Sequence, residues 1–203
     1  MTALSYAVTM VKIHVSEYLL EKGANPNTKY HKCLTVLHFT AWKGNLDICQ
    51  LLVSKGATVD ALDSDNMTAL HDAVEENQMH VIEYLLEKGA NPNTKNHKGV
   101  TILHDAAFIG NLKICELLLS KGAIIDALDS ENKKALHFAA SEGDLEICKL
   151  LVSKGATKDV LDLKNKTALH FAARKGNLEI CQLLVLNGTT IEVLDLDSRT
   201  ALF

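Results

Sequence analysis

Three residue types return along this chain at one fixed interval of 33. Threonine stands at Thr2, Thr35, Thr68, Thr101, Thr167 and Thr200, with Lys134 filling the one gap. Leucine follows two places later throughout, from Leu4 to Leu202, and Gly23, Gly56, Gly89, Gly122, Gly155 and Gly188 make a third column. A period of this length means one supersecondary unit copied many times. Six units result: 2–34, 35–67, 68–100, 101–133, 134–166 and 167–199, with 200–203 opening a seventh. Units 1 and 3 share the run His14 to Lys29 and its copy His80 to Lys95 with one change. Unit 2 is more like units 4 to 6, as a duplicated two-unit block would be.

Each unit spells two short helices. Thr167-Ala-Leu-His-Phe-Ala-Ala-Arg-Lys starts one, with Thr167 as N-cap. Gly176 ends it in the left-handed conformation. Leu178 to Leu186 carries apolar residues over enough of its surface to be packed on two sides. Asn187-Gly188 stops it, and an extended loop leads to the next threonine. Two such helices cannot bury their apolar faces alone; neighbours must stack on them, and six units suffice. Unit 1 deviates: Val11 stands where other units have Gly44, Gly110, Gly143 and Gly176. A β-branched residue resists the left-handed region, so a distorted turn is expected there. Asn77, at the same place in unit 3, tolerates it better.

The run Thr-x-Leu-His-x-Ala-Ala is complete at 101–107 and 167–173 and nearly so at 35–41, 68–74 and 134–140. With the Gly-Ala pairs at 56–57, 89–90, 122–123 and 155–156, the chain resembles the ankyrin repeat family over its whole length. The resemblance implies an all-α, elongated, slightly curved solenoid of stacked helix-turn-helix units with protruding loops, forming one domain over 1–203. It also implies a histidine that hydrogen-bonds backbone near the loop, and a function in protein binding. The family's proline after the threonine is absent; Ala3, Val36, Ala69, Ile102, Ala135 and Ala168 stand there.

Composition narrows the partners. A net charge of −4 gives no general attraction to nucleic acid or anionic membranes. No run approaches the ~20 apolar residues of a membrane span, and charged residues interrupt any secretory signal near the N-terminus. Five scattered cysteines in a chain of 203 residues fit a reducing, intracellular compartment: the cytoplasm or, by the same argument, the nucleus.

Spacing tests the chemical alternatives. His38, His71, His104, His137 and His170 form one column; Cys49, Cys115, Cys148 and Cys181 form another. Equivalent residues in stacked helices lie ~8–10 Å apart. Zinc needs its ligands within ~2.3 Å of one atom, and a disulfide needs Cα atoms within ~7 Å. Both columns therefore read as framework, the cysteines filling the slot that Ile82 fills in unit 3, and no metal or cofactor is expected. Cys33 lies outside the column; it is a turn residue or an exposed thiol, with no activating base near it in sequence. No phosphate loop or hydrolase motif is present. No catalytic function is expected.

Framework columns repeat and cannot confer specificity; variable columns can. One variable pair closes the first helix: Thr9-Met10, Trp42-Lys43, Glu75-Glu76, Phe108-Ile109, Ser141-Glu142 and Arg174-Lys175. Trp42 and Phe108-Ile109 are either interface anchors or packing against a neighbouring unit. The second set is at the loop tips, where Leu62, Leu128 and Leu161 form a row with Leu194. That row is either a partner groove or loop-to-loop packing. Basic tips (Lys95 and Lys98, with Lys29 and Lys32) alternate with acidic ones (Asp65, and Glu131 with Asp129), and Lys164 follows in unit 5. The alternation suits a charge-patterned protein better than a phosphate backbone. The expected function is a protein-interaction scaffold that binds a partner protein through the concave first-helix face and loop tips; the alternative is a structural spacer or regulatory segment of a larger, possibly enzymatic protein, with no ligand on this segment. The abrupt first and last units suggest a monomeric segment of a longer chain.

Overall fold

First helices start at the threonine column because the residue three places on, histidine in repeats 2 to 6, completes a capping box. The Thr35 and Thr68 N–H groups donate to Nδ1 of His38 and His71 at 3.2 and 3.1 Å. Lys134 keeps the backbone half of the box, its N–H donating to His137 Nδ1 at 3.0 Å. Its ammonium meets Asp126 Oδ1 at 3.0 Å, which accommodates a lysine whose side chain is almost fully buried. In unit 1 serine does the histidine's work: Thr2 N–H donates to Ser5 Oγ at 2.8 Å, and Ser5 N–H to Thr2 Oγ1 at 3.1 Å. Orphan donors at the helix starts are thus satisfied locally.

The protein's computed structural model describes residues 2–201, in two compact units. The expected opening of a seventh repeat falls partly on residues 202 and 203, outside the described residues. The N-terminal unit, residues 1–97, holds α1 (Ala3–Thr9), α2 (Ile13–Glu21), α3 (Val36–Trp42), α4 (Leu46–Ser54), α5 (Ala69–Glu75) and α6 (Met79–Glu87), with a 3-10 turn at His31–Cys33. First helices stack on first helices, α1 on α3 and α3 on α5; second helices do the same, α2 on α4 and α4 on α6. The core between the layers is Leu37, Leu70, Ile48, Leu52, Ile82 and Leu85, each essentially inaccessible.

The C-terminal unit, residues 98–203, repeats the plan with α7 (Ile102–Ile109), α8 (Leu112–Ser120), α9 (Ala135–Glu142), α10 (Leu145–Ser153), α11 (Ala168–Lys175) and α12 (Leu178–Leu186). Here α9 packs between α7 and α11, and α10 between α8 and α12, around Leu103, Leu136, Ile114, Leu118 and Ile147. Helices α4, α8, α10 and α12 are capped by Asn45, Asn111, Asp144 and Asn177, each side-chain oxygen accepting the N–H three residues on, whereas α2 and α6 start without a side-chain cap.

The turn in repeat 1 corrects an expectation: it is not distorted. Val11 takes φ 55°, as Asn77 takes 57°, in the left-handed region. Val11 N–H and Lys12 N–H bond Val8 O and Ala7 O at 3.0 and 2.9 Å, as Gly44 and Asn45 bond Ala41 O and Thr40 O. Stacking holds the turn's shape, and valine absorbs the strain in its own backbone. Val11→Gly should raise unfolding stability by about 1 kcal/mol, the relief of strain exceeding the added entropy of the unfolded chain. A urea melt that shows lower stability would mean the valine side chain, 55% exposed, contributes more by packing than its backbone costs.

Candidate partner-binding site

The loop tips are built from one reusable turn. Asp63 Oδ1 accepts the N–H groups of Asp65 and Met67, both at 2.8 Å, while Asn66 turns through φ 60°. Asp129, Asp162 and Asp195 do the same for their own tips. Adjacent tips are tied by single backbone bonds: Ser64 N–H to Lys32 O and His97 N–H to Asp65 O in the N-terminal unit. In the C-terminal unit Ser130, Leu163 and Leu196 N–H groups donate to Lys98, Glu131 and Lys164 O. The residues between bonded positions therefore project outward in register.

Nearly all the residues singled out from sequence lie on that exterior. Trp42, Phe108 and Ile109 are 39%, 56% and 40% exposed. Lys43, Glu75, Glu76, Arg174 and Lys175 are exposed beside them on their helix ends. Leu62, Leu128, Leu161 and Leu194 are all exposed, as are Leu163 and Leu196. Lys95, Lys98, Glu131 and Lys164 are exposed, and Asp65 is half-buried. Packing accounts for only part of the aromatic surface: Phe108 meets the edge of Phe138 at 6.5 Å, and Trp42 lies 6.1 Å from Phe39. Some of the charge alternation is internal to the fold. Lys29 Nζ donates to Leu62 O at 2.9 Å, and His97 Nδ1 lies 3.8 Å from Asp65 Oδ1.

The histidine column serves the framework. Because His38 Nδ1 accepts a backbone N–H, its proton sits on Nε2, which reaches Met67 O at 3.2 Å. His104 and His137 reach Lys133 O and Val160 O in the same way. Burial holds His38 and His137 below the ordinary histidine pKa and His71 down at about 4. Cys49, Cys115 and Cys148 are buried thiols pushed up to about 11, 12 and 12 by desolvation, the opposite of an activated nucleophile. Among the described residues no group of three or more His, Cys, Asp or Glu side chains gathers as a metal site.

One concavity in the N-terminal unit draws residues from two stacked repeats. Tyr30, Leu34, His38, Phe39, Trp42, Asp72 and Glu75 line a space of ≈ 230 Å³. Tyr30 stands where four other tips have Asp63, Asp129, Asp162 and Asp195 and one has Asn96, which replaces a turn-forming polar side chain by a ring. Asp72 stands in the column of Phe39, Phe138 and Phe171. Its Oδ2 is buried without a hydrogen-bond partner, and burial, reinforced by the charges of Asp63 and Glu75, pushes its pKa up to about 8. Glu76 Oε1 accepts the Trp42 indole N–H at 2.8 Å and fixes that ring at the rim. Sequence reasoning found Trp42, Glu75 and Glu76 here but missed Tyr30, Phe39 and Asp72. The available signal was the residue after each column histidine, which is aromatic at Phe39, Phe138 and Phe171 but acidic at Asp72 and Asp105.

Stacked helix-turn-helix repeats, most of them capped by threonine and histidine and tied through their loop tips, define the class. Family models agree: a model described as ankyrin repeats in three copies matches residues 4–96 and 94–162, and one described as a single ankyrin repeat matches 164–197. The chain belongs to the ankyrin repeat family. No curated protein matches the sequence. Ankyrin repeats are generally protein–protein interaction modules and typically non-catalytic. No described helix is long and apolar enough to cross a membrane.

Proposed function

We propose that this chain is a protein-interaction scaffold that engages a partner protein through the ends of its first helices and its loop tips. The observation that carries this is a set of exposed large apolar side chains at two kinds of position, beside others such as Tyr18, Leu178 and Leu186 that are exposed on second helices. Trp42, Phe108, Ile109, Leu62, Leu128 and Leu161 are all exposed, and all occupy first-helix-end or loop-tip positions. Solvated aromatic and aliphatic groups on a rigid framework are what anchors an interface. The flanking Lys43, Glu75, Glu76, Arg174, Lys175, Asp65, Lys95, Lys98, Glu131 and Lys164 would give charge selectivity at its rim. Nucleic acid is disfavoured as partner because acidic tips interrupt the basic ones.

The test is affinity capture with chemical crosslinking, using the whole chain. Trp42→Ala and the double variant Phe108→Ala with Ile109→Ala should each lose a stoichiometric protein partner at least about tenfold, with helical circular dichroism unchanged. Gln50→Ala, on an exposed face of α4, should retain it. Recovery of no stoichiometric protein, or equal recovery by all variants, would favour the spacer reading.

A further inference from the structure

The concavity between α3 and α5 has a chemistry of its own. Its walls are the rings of Tyr30, Phe39 and Trp42; its charged residues are Asp72 and Glu75, with Glu76 at the rim. No basic side chain lines it apart from His38, whose nitrogens are committed to Thr35 N–H and Met67 O. A carboxylate oxygen buried without a partner is costly and calls for a donor. Aromatic faces beside it favour a cation over a neutral donor. The rings already attract one: Lys43 Nζ lies 4.1 Å from the Trp42 ring centroid and 6.0 Å from that of Phe39. Lys43 makes no ion pair among the described residues, so this cation does not neutralise Asp72.

Resting on the interaction-scaffold reading, we propose that this pocket receives the protonated side chain of a lysine or arginine from a basic segment of the partner protein, its stem against Tyr30, Phe39 and Trp42 and its head at Asp72. Charge complementarity selects this occupant. An acidic side chain would meet Asp72, Glu75 and Glu76, and an apolar one would leave Asp72 Oδ2 buried and unpaired. Uptake also expels a proton. Empty, Asp72 is held up at about 8; a cation in contact stabilises the carboxylate. Of the other groups around it, Tyr30 is raised above its ordinary range, His38 and His71 are lowered, and Asp63, Glu75 and Glu76 are carboxylates. Affinity should therefore rise between about pH 6.5 and 8.5 through Asp72.

Trp42 is the sole tryptophan, so its fluorescence reports the pocket directly. The probes are short end-blocked glycine-serine peptides carrying a single lysine, arginine, norleucine or glutamate, titrated into the whole chain. Lysine or arginine peptides should perturb Trp42 and bind with millimolar or better affinity; the tighter of the two names the side chain. Asp72→Asn should weaken them by about fivefold or more at pH 8 and abolish the pH dependence. Gln50→Ala, on an exposed face of α4 away from the pocket lining, should leave binding intact. Norleucine or glutamate peptides binding as tightly, no response to lysine or arginine, or a response unaffected by Asp72→Asn overturns the proposal. If a protein partner is still captured through Trp42 while no cationic probe binds, the pocket assignment falls and the scaffold reading stands.

Discussion

Acidification from pH 7 to pH 4 is expected to destabilise the N-terminal unit by about 3 kcal/mol through His71 alone. Its folded pKa is lowered to about 4 by burial, against 6.5 for the free side chain. The unfolded chain then binds a proton that the folded chain refuses. Stability from this residue is intact above about pH 6.5 and falls away as pH drops from there toward 4. Burial is the main cause, and the capping box fits it: His71 Nδ1 accepts Thr68 N–H at 3.1 Å, so a proton on Nδ1 would face a donor. His38 and His137 are shifted the same way and add to the loss in their own units. Repeat 1 supplies the control, because Ser5 closes the same box without a titratable ring. His71→Ser should keep the helix start, cost packing at pH 7, and flatten the stability profile between pH 7 and 4 by about the same 3 kcal/mol. Parallel profiles for the parent and His71→Ser, or His71 ring signals titrating near 6.5 by NMR, would sink this account.

That box also shows why the fold was legible. Threonine, histidine and glycine recur because each performs a local backbone task, and local tasks leave columns in a periodic sequence. Asp63, Asp129 and Asp162 recur for the same reason: each accepts two tip N–H groups. The Val11 turn was misjudged because a local penalty was weighed without the stacking that overrides it. The outward leucines were ambiguous because solvent exposure depends on how far each tip projects, which no column records. The pocket was half-visible for a different reason. Trp42 and Glu76 belong to the same variable pair in adjacent repeats, 34 residues apart. Tyr30 comes from a loop column, and Phe39 and Asp72 from a third. Only stacking brings the three together, and each looked unremarkable within its own column.

Asp72→Asn should stabilise the N-terminal unit at pH 9 by about 3 kcal/mol and change it little at pH 4. The sign is opposite to that of the histidines. Asp72 has its folded pKa raised from 3.8 to about 8, chiefly by burial. Its favourable contribution is complete below about pH 3.8 and is lost as pH rises through 8, because ionising it strands a charge whose Oδ2 has no partner. The full interval corresponds to about 6 kcal/mol; partial contact with water brings this to about 3. Asparagine matches the protonated carboxyl in shape and neutrality, so the two should coincide in acid and diverge in alkali. Urea unfolding at pH 4, 7 and 9 measures this directly, and equal stability at pH 9 would show that the carboxylate is already compensated in the free protein. A carboxyl whose ionisation raises the free energy of the stack as the pH passes neutrality lines an aromatic-walled opening. The same substitution that strengthens the fold is the one expected to weaken the grip on a cationic side chain, and this opposition separates a binding residue from a framework one.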